Sequence, residues 1–407
     1  MEISTTPDIK LNMEDFLDSA LLAALNGRHQ VAVWKKPKEQ DIHILIDKTE
    51  RIKCIPLELE ELSPGFILHP FADQEDKKAY YLEATVHIRL DVNQDGFSVD
   101  QLWAEPKKDR EALQVKQKIR KYLSDHLPAK NPGDSLASTT KSDFMDQVVK
   151  GIEAIKSGSL SKIVPVKRKI AAIGEEFDLT KTFLDLCKAY PNAFVNFFHI
   201  PSLGSWIGAS PEILIKTCGD QFSTMALAGS QKAIGDNPLK HVAWTQKEIE
   251  EQALVSRYIV GCFKKIRLRE YEEIGPKTDI AGNLLHLRTD FKVDMKATNF
   301  PLLGSAMLGL LHPTSAVAGM PRDKALEFIQ QHENFDRSLF SGYLGPVNIE
   351  GETALYVNLR CAQLLGDRAV LYAGAGVTED SDPEKEWEET ELKCDIIGKF
   401  IQQDYKP

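Results

Sequence analysis

No two of the six cysteines form a CxxC pair: they stand at Cys54, Cys187, Cys218, Cys262, Cys361 and Cys394. With no paired histidine spacing either, a disulfide framework or a zinc site is not expected, and a reducing cytoplasm fits best. Long apolar runs are also lacking. The long uncharged stretch 301–321 is broken by His312, Pro313 and three glycines, which argues against a membrane-spanning helix there. The first residues, MEISTTPDIKLNMEDF, have neither a basic segment nor an apolar one, so no secretory signal is expected. Basic residues are outnumbered, 50 Lys and Arg against 60 Asp and Glu, for a net charge of −10. That argues against binding nucleic acid by phosphate neutralisation. It leaves room for a small anionic ligand, because a local cluster of cations and backbone N–H groups overrides the global field. Internal repeats and low-complexity tracts are absent.

What is present is an ordinary globular composition, 43% hydrophobic and 27% charged, enough for a sizeable core without covalent staples. Over the first 140 or so residues, short alternating segments predict strands at 30–36, 43–48 and 85–92, followed by a helix near 106–126. The Pro-, Gly- and Ser-rich segment 127–140 is either a domain boundary or a long internal loop. Helical spacing of Phe144, Val148, Ile152 and Ile155 then predicts a helix over 142–158, with Ser142 as N-cap and Gly158 as terminator. Strands are expected at 161–170 and 192–200, and a strand–turn–strand at 206–217. A long helix follows at about 243–266, then neighbouring strands through 351–377 and a closing helix at about 383–403. Strands and helices so mixed indicate an α/β or α+β fold with a large sheet system.

Three glutamates stand out. Glu251 shares a helix face with Leu254, Val255 and Ile259, and a carboxylate on an apolar face needs a partner or an outlet to solvent. Glu386, Glu389 and Lys393 share one face of the last helix, either as a solvated surface or as part of a site. If Glu251 and Glu389 converge, they form an oxygen-rich site for a hard divalent cation such as Mg²⁺. Glu212 follows Pro211 at the turn between two strands, a position usually solvated.

Taken together, KIVPVKR (162–168), GASPE (208–212), ALAGS (226–230), KEIEEQ (247–252), LLHLRT (284–289), LHPTSAVAGMP (311–321), SGYLGPV (341–347), LRCA (359–362), YAGAGV (372–377) and SDPEKEWEET (381–390) resemble the chorismate-utilising enzymes. That family includes isochorismate, salicylate, anthranilate and aminodeoxychorismate synthases. The resemblance covers 142–402; residues 1–140 resemble the family only loosely. It implies a single large α-β-β-α sandwich with the active site between its halves, residues 1–140 being a divergent part of the same sandwich. It further implies Mg²⁺ held by Glu251 and Glu389, with Glu386 in support through water, and chorismate as substrate. By the same resemblance, Arg360 pairs with the pyruvyl carboxylate, and Gly374 and Gly376 let backbone N–H groups approach substrate oxygens. Lys393 neutralises a carboxylate near the metal, His286 sits beside the ring carboxylate, and Thr289 belongs to the substrate-binding set.

Within the family, Lys162 matches the base that activates water and Glu212 the acid that protonates the departing hydroxyl. The base must be a neutral amine at the moment of attack, a state that burial favours, and the acid must hold its proton. Ala316 stands where ammonia-using relatives resemble one another in having threonine. Lys162 with Ala316 therefore implies water addition, chorismate to isochorismate, in a cytoplasmic monomer with no obligatory amidotransferase partner. Salicylate formation, an amidating synthase subunit and a non-catalytic chorismate binder remain alternatives, and the pathway served, menaquinone or siderophore, stays open. The chain departs from the family pattern at Gln252, Pro165, Lys167 and Ser315.

Overall fold

The computed structural model of the chain describes residues 10–49, 51–72, 78–91, 97–98, 112–127, 136–233, 238–281 and 284–402. Side chains on a strand alternate between its faces, and in Gln30–Lys35 that alternation shows the layering. Val31 and Val33 pack with Phe16, Phe183 and Ile397 from the helices Met13–Asn26, Leu179–Ala189 and Pro383–Ile401. Ala32 and Trp34 face the opposite way and meet Phe66 and Leu68 of the strand Gly65–His69. From that strand Ile67 points outward again, to Phe144, Ile259 and Leu308 of the helices Lys141–Lys156, Gln246–Lys265 and Leu303–Leu311. The order is helices, sheet, sheet, helices. Both sheets are covered on both faces, which is why Gln30–Lys35 is buried along its whole length. Each fully buried Val, Leu or Phe contributes roughly 1.5–3 kcal/mol to holding the layers together.

Among the described residues the first sheet has eight strands, in the spatial order Val166–Ala172, Arg368–Gly374, Cys361–Leu365, Gly204–Ser210, Phe194–Ile200, Gln30–Lys35, Ile42–Asp47 and Val86–Leu90. The second has nine: Glu272–Ala281, Leu284–Asp294, Gln221–Lys232, Ile213–Cys218, Glu352–Val357, Tyr343–Val347, Gly65–His69, Ala79–Glu83 and Lys53–Ile55. Every pairing described within them is antiparallel. Strands from the first hundred residues enter both sheets. All six cysteines are free thiols. No helix among the described residues is long and apolar enough to cross a membrane.

Several local expectations change. Thr140, not Ser142, caps the helix Lys141–Lys156, its hydroxyl accepting from the Asp143 N–H; two side chains with nearly equal capping propensity compete, and the backbone turns at the earlier one. Gly158 does close that helix, at φ 79°. The expected strand 161–170 is interrupted. Lys162–Ile163 pairs with Gly319–Met320, Pro165 lies in the gap, and Val166–Ala172 continues as the edge of the first sheet, the place proline's missing N–H allows. The segment read as one strand at the start of 351–377 is two, Glu352–Val357 in the second sheet and Cys361–Leu365 in the first. Residues 106–111 and 128–135, expected as helix start and connector, lie outside the described residues.

Candidate active site

Two of the chain's crossings between the sheets lie side by side. One crossing runs from Gly204–Ser210 through Pro211 and Glu212 to Ile213–Cys218; the other runs from Glu352–Val357 through Asn358, Leu359 and Arg360 to Cys361–Leu365. Backbone bonds tie them together: Val357 N–H donates to the Glu212 carbonyl at 3.0 Å, and Ala209 N–H to the Arg360 carbonyl at 2.9 Å. Arg360 takes a left-handed φ of 49° there, a conformation that costs a non-glycine residue about 1–2 kcal/mol and that functional sites commonly retain. The two crossings thus present an acid and a guanidinium to the same space.

That space is a cleft of about 630 Å³ counting its open mouth, walled by Glu212, Glu251, His286, Ala316, Arg360 and Lys393 and also touched by Gly374 and Gly376. Of the residues singled out from the sequence, these eight line it. Lys162 lies immediately behind Gly376: a Cβ built on that glycine would stand 2.0 Å from Glu251 Oε1 and 3.2 Å from Lys162 Cε. Glycine is required here because nothing larger leaves room for the pair beneath it. Glu389 pairs with Lys393 at 2.6 Å, one helical turn away, and Lys393 also donates to the Gly374 carbonyl at 2.7 Å. Glu386 is buried one turn earlier and pairs with Lys247. Thr289 is not among the eight, and its hydroxyl accepts from Gln252 Nε2 at 2.7 Å. Gln252, in turn, is fully engaged, donating also to Ser256. Lys167 is buried too, stacked over the Trp387 ring at 3.7 Å and paired with Glu391. These two departures from the family pattern are therefore packed into the second sheet's helix and the last helix.

The electrostatics set the groups apart. Burial pushes the Glu212 carboxyl from its ordinary 4.5 up to about 8, against the pull of Lys162, Arg360 and Lys393. It is a carboxylic acid held neutral at pH 7. Lys162 is completely buried, and its Nζ lies 3.0 Å from Glu251 Oε1. The approach is off the hydrogen-bonding direction, so Nζ has no hydrogen-bond acceptor among the described residues. Burial, with Arg360 nearby, pushes His286 down to about 3, so it is neutral. Its Nδ1 lies 2.8 Å from the Gly229 carbonyl, which can only accept; Nδ1 therefore carries the proton, and the buried, unpartnered Nε2 is an acceptor. Gly229 is brought there by a bulge between Ala228 and Gln231. The Arg360 guanidinium forms no hydrogen bond or ion pair among the described residues; burial lowers it to about 10, so it remains cationic. A partly buried, unpaired fork of donors facing a cleft is a ready receptor for a carboxylate.

Three carboxylates and three lysines gather on the other side, of which Glu251 and Lys393 reach the cleft. Glu251 pairs with Lys162, Glu386 with Lys247 and Glu389 with Lys393. Burial would lower Lys247, but Glu386, Glu251 and Glu389 outweigh it and hold Lys247 firmly cationic. Burial and the neighbouring Glu389 raise Glu386; for Glu389 the lysines outweigh burial and keep it ionised. No three His, Cys, Asp or Glu side chains among the described residues gather closely enough to hold a metal ion. Mg²⁺ needs only one or two protein carboxylates, the rest being water and ligand oxygens. The donor set is all oxygen, and Glu386 Oε2 is buried without a hydrogen-bond partner among the described residues; the wall fits a hard cation. Lys247 and Ser230, which flank this wall, lie in motifs visible in the sequence. Nothing in the sequence marks them, because a lysine or serine at an element's end carries no distinguishing spacing.

The family described as chorismate binding enzyme matches residues 64–402. Isochorismate synthase EntC of Escherichia coli (strain K12) is 34% identical over 207 residues, 49% of this chain and 52% of that protein. Isochorismate synthase DhbC of Bacillus subtilis (strain 168) is 30% identical over 264 residues, 62% of this chain and 65% of that protein. The chain thus spans between about half and two thirds of the length of these curated relatives. The crystal structure of a 2,3-dihydroxybenzoate-specific isochorismate synthase from Bacillus anthracis superposes with a TM-score of 0.70 at 22% identity, over 95% of this chain and 99% of that one. The menaquinone-specific isochorismate synthase MenF of Escherichia coli superposes at 0.69 and 20% identity, over 96% and 92%; both likenesses establish the fold. With a family match across most of its length and a cleft built from that family's motifs, the chain belongs to the chorismate binding enzymes.

Proposed function

We propose that this protein converts chorismate to isochorismate in the presence of Mg²⁺. Lys162 removes a proton from the water that attacks ring carbon C2, and Glu212 gives its proton to the hydroxyl that leaves C4. The observation that carries this reading is the pairing of groups at one cleft: a completely buried lysine immediately behind Gly376 in its wall, and a carboxyl held neutral that lines it. A carboxyl that keeps its proton at pH 7 is what a general acid needs. Arg360, unpaired and cationic, takes the pyruvyl carboxylate through two parallel N–H bonds. Neutral His286 offers Nε2 only as an acceptor, so it receives a hydrogen bond from a hydroxyl or a water and does not itself bind a carboxylate. Backbone N–H groups around Gly374 and Gly376 approach substrate oxygens. Glu251 and Glu389 would hold Mg²⁺, with Glu386 in support, and the bound ion would supply positive charge to neutralise the ring carboxylate. The isochorismate synthase names of the relatives support this reaction over its family alternatives.

Product analysis tests it. Purified protein incubated with chorismate and Mg²⁺ is expected to yield isochorismate, reversibly and without an ammonia source. Accumulation of salicylate with pyruvate, or an aminated ring that forms only when ammonia is supplied, refutes the assignment in favour of another member of the family. Lys162→Ala and Glu212→Gln are each expected to abolish most turnover, and normal rates in both would remove the proposed acid and base.

A further inference from the structure

We propose that Arg337 positions the base: its buried guanidinium clamps the segment carrying Lys162 to the segment carrying Ala316, and so sets where the Lys162 amine stands against the substrate. The proposal rests on Lys162 being the base of the reaction above.

The strand of Lys162 is held at first by backbone bonds. Ser161 N–H donates to the Met320 carbonyl at 2.7 Å, Ile163 exchanges two bonds with Val377, and Val164 N–H donates to the Ala318 carbonyl at 3.0 Å. There the ladder stops, because Pro165 has no N–H to continue it. An ion pair takes over across the gap. Arg337 donates to the Val164 carbonyl at 2.8 Å and to the Val317 carbonyl at 2.9 Å, while Glu333 accepts the Val166 N–H at 3.0 Å. Arg337 and Glu333 bind each other through two N–H bonds, the one from Nε at 2.7 Å. Both side chains are buried, and the Phe71 ring covers the guanidinium at 4.3 Å. Arg337 also begins the turn that carries Phe340, whose N–H donates to the Arg337 carbonyl at 3.0 Å. Val164, Val317 and Phe340 all line the substrate cleft. One side chain and its own backbone thus fasten three segments of the cleft wall.

Stability alone does not account for this arrangement. A buried ion pair is often no more stabilising than apolar side chains of the same volume, since desolvation offsets the attraction. What an arginine adds is geometry: a planar fork reaches two carbonyls and a carboxylate at fixed angles. Lys162 needs that geometry. Its amine has no hydrogen-bond acceptor among the described residues to steer it, so its place follows from its backbone, two residues before the clamped Val164 carbonyl. Proton removal from an attacking water requires the base within hydrogen-bond reach, and small misplacements there are costly. The proposed holders of the substrate's two carboxylates, Arg360 and the metal-binding glutamates, lie on other segments. Loosening the clamp therefore acts on the chemical step and not on binding.

Three variants test this, each assayed with chorismate and Mg²⁺ and checked for folding by its melting midpoint. Arg337→Lys keeps the charge without the fork. Arg337→Ala leaves a guanidinium-sized space beside Glu333. Arg337→Met combined with Glu333→Gln removes both charges together, so that no unpaired charge is buried. The double variant and Arg337→Ala are expected to lose about 100-fold in kcat and Arg337→Lys about tenfold, with KM in all three within about threefold of wild type. Guanidinium ion, added far below denaturing concentrations, is expected to restore kcat of Arg337→Ala by about tenfold, and methylammonium, a point charge, is not. A double variant that melts near wild type and turns over at the wild-type rate assigns the pair to stability and overturns the proposal. So does a raised KM with unchanged kcat, or guanidinium that raises the midpoint of Arg337→Ala without its kcat. Normal turnover in Lys162→Ala sinks the parent reading and the clamp with it, whereas a wild type that depends on Lys162 but is matched by the double variant sinks only the clamp.

Discussion

Replacing Glu212 with glutamine should stabilise the protein while removing its activity. In the folded chain burial holds this carboxyl at about 8, against an ordinary value of 4.5. Because the folded value is the higher one, the fold's preference for the protonated acid is fully satisfied below pH 4.5 and lost as pH rises through 8. At pH 7 the unfolded chain ionises Glu212 and the folded chain keeps it neutral. The difference, 2.5 units at 1.36 kcal/mol each, amounts to about 3 kcal/mol against folding. Glutamine has nearly the same shape and no charge to desolvate, so Glu212→Gln is relieved of that cost. Unfolding entropy for a chain of this size makes 1 kcal/mol worth about 1 °C, so the variant's melting midpoint should rise by about 3–4 °C at pH 7. The gain should shrink to zero near pH 4.5 and reach its plateau of about 5 kcal/mol above pH 8. Differential scanning calorimetry of both proteins across pH 4–9 measures this directly. A difference in midpoint that is flat with pH, or of opposite sign, would refute the claim that Glu212 is buried as a neutral acid. Such a trade of stability for function is common where an active site holds a group in an unfavourable state.

Four further outcomes follow from the same geometry. The forward kcat/KM should fall tenfold per pH unit above about pH 8, since only protonated Glu212 can act; a pH–rate profile without that alkaline limb contradicts the assignment. Gly376→Ala puts a methyl group where Glu251 Oε1 now stands, and displacing that carboxylate by about 1 Å or more should cut kcat/KM about 100-fold. Its circular dichroism should stay normal while its Mg²⁺ affinity by calorimetry weakens; normal affinity contradicts Glu251 as a ligand. Arg360→Lys exchanges a planar fork for a point charge and should raise KM, lowering kcat/KM by about 10- to 100-fold through loss of one charge-assisted hydrogen bond; unaltered steady-state kinetics argue that Arg360 does not touch the substrate. Glu389→Ala leaves Lys393 without its carboxylate and should abolish both Mg²⁺ dependence and most activity, so a rate still responsive to Mg²⁺ titration removes Glu389 from the ligand set.

Much of the local structure was legible because helices and strands advertise themselves through short periodicities. The helices Gln246–Lys265 and Pro383–Ile401 lie close to where apolar spacing places them, and Glu386, Glu389 and Lys393 share a face as spacings of three and four require. Motif resemblance added what periodicity could not. It named Lys162, Glu212, Arg360 and the two glycines, all of which meet at one cleft or directly behind it. It also placed Thr289 among the substrate-binding groups; the structure shows its hydroxyl accepting from Gln252, one of the residues that depart from the family pattern.

By itself, then, the sequence determined the elements and the charge balance, since these depend on neighbours within a turn or two, and through motif resemblance it nominated the proposed reacting groups. Tertiary structure decided where those groups meet and in what state. The stretch around Arg360 looks like one strand, yet it passes from one sheet to the other, because its two halves find partners distant in the chain. Glu212 becomes an acid at neutral pH only through its depth between the sheets. Lys247 acquires significance only from carboxylates contributed by other segments. Burial and long-range convergence arise from packing that no local pattern encodes.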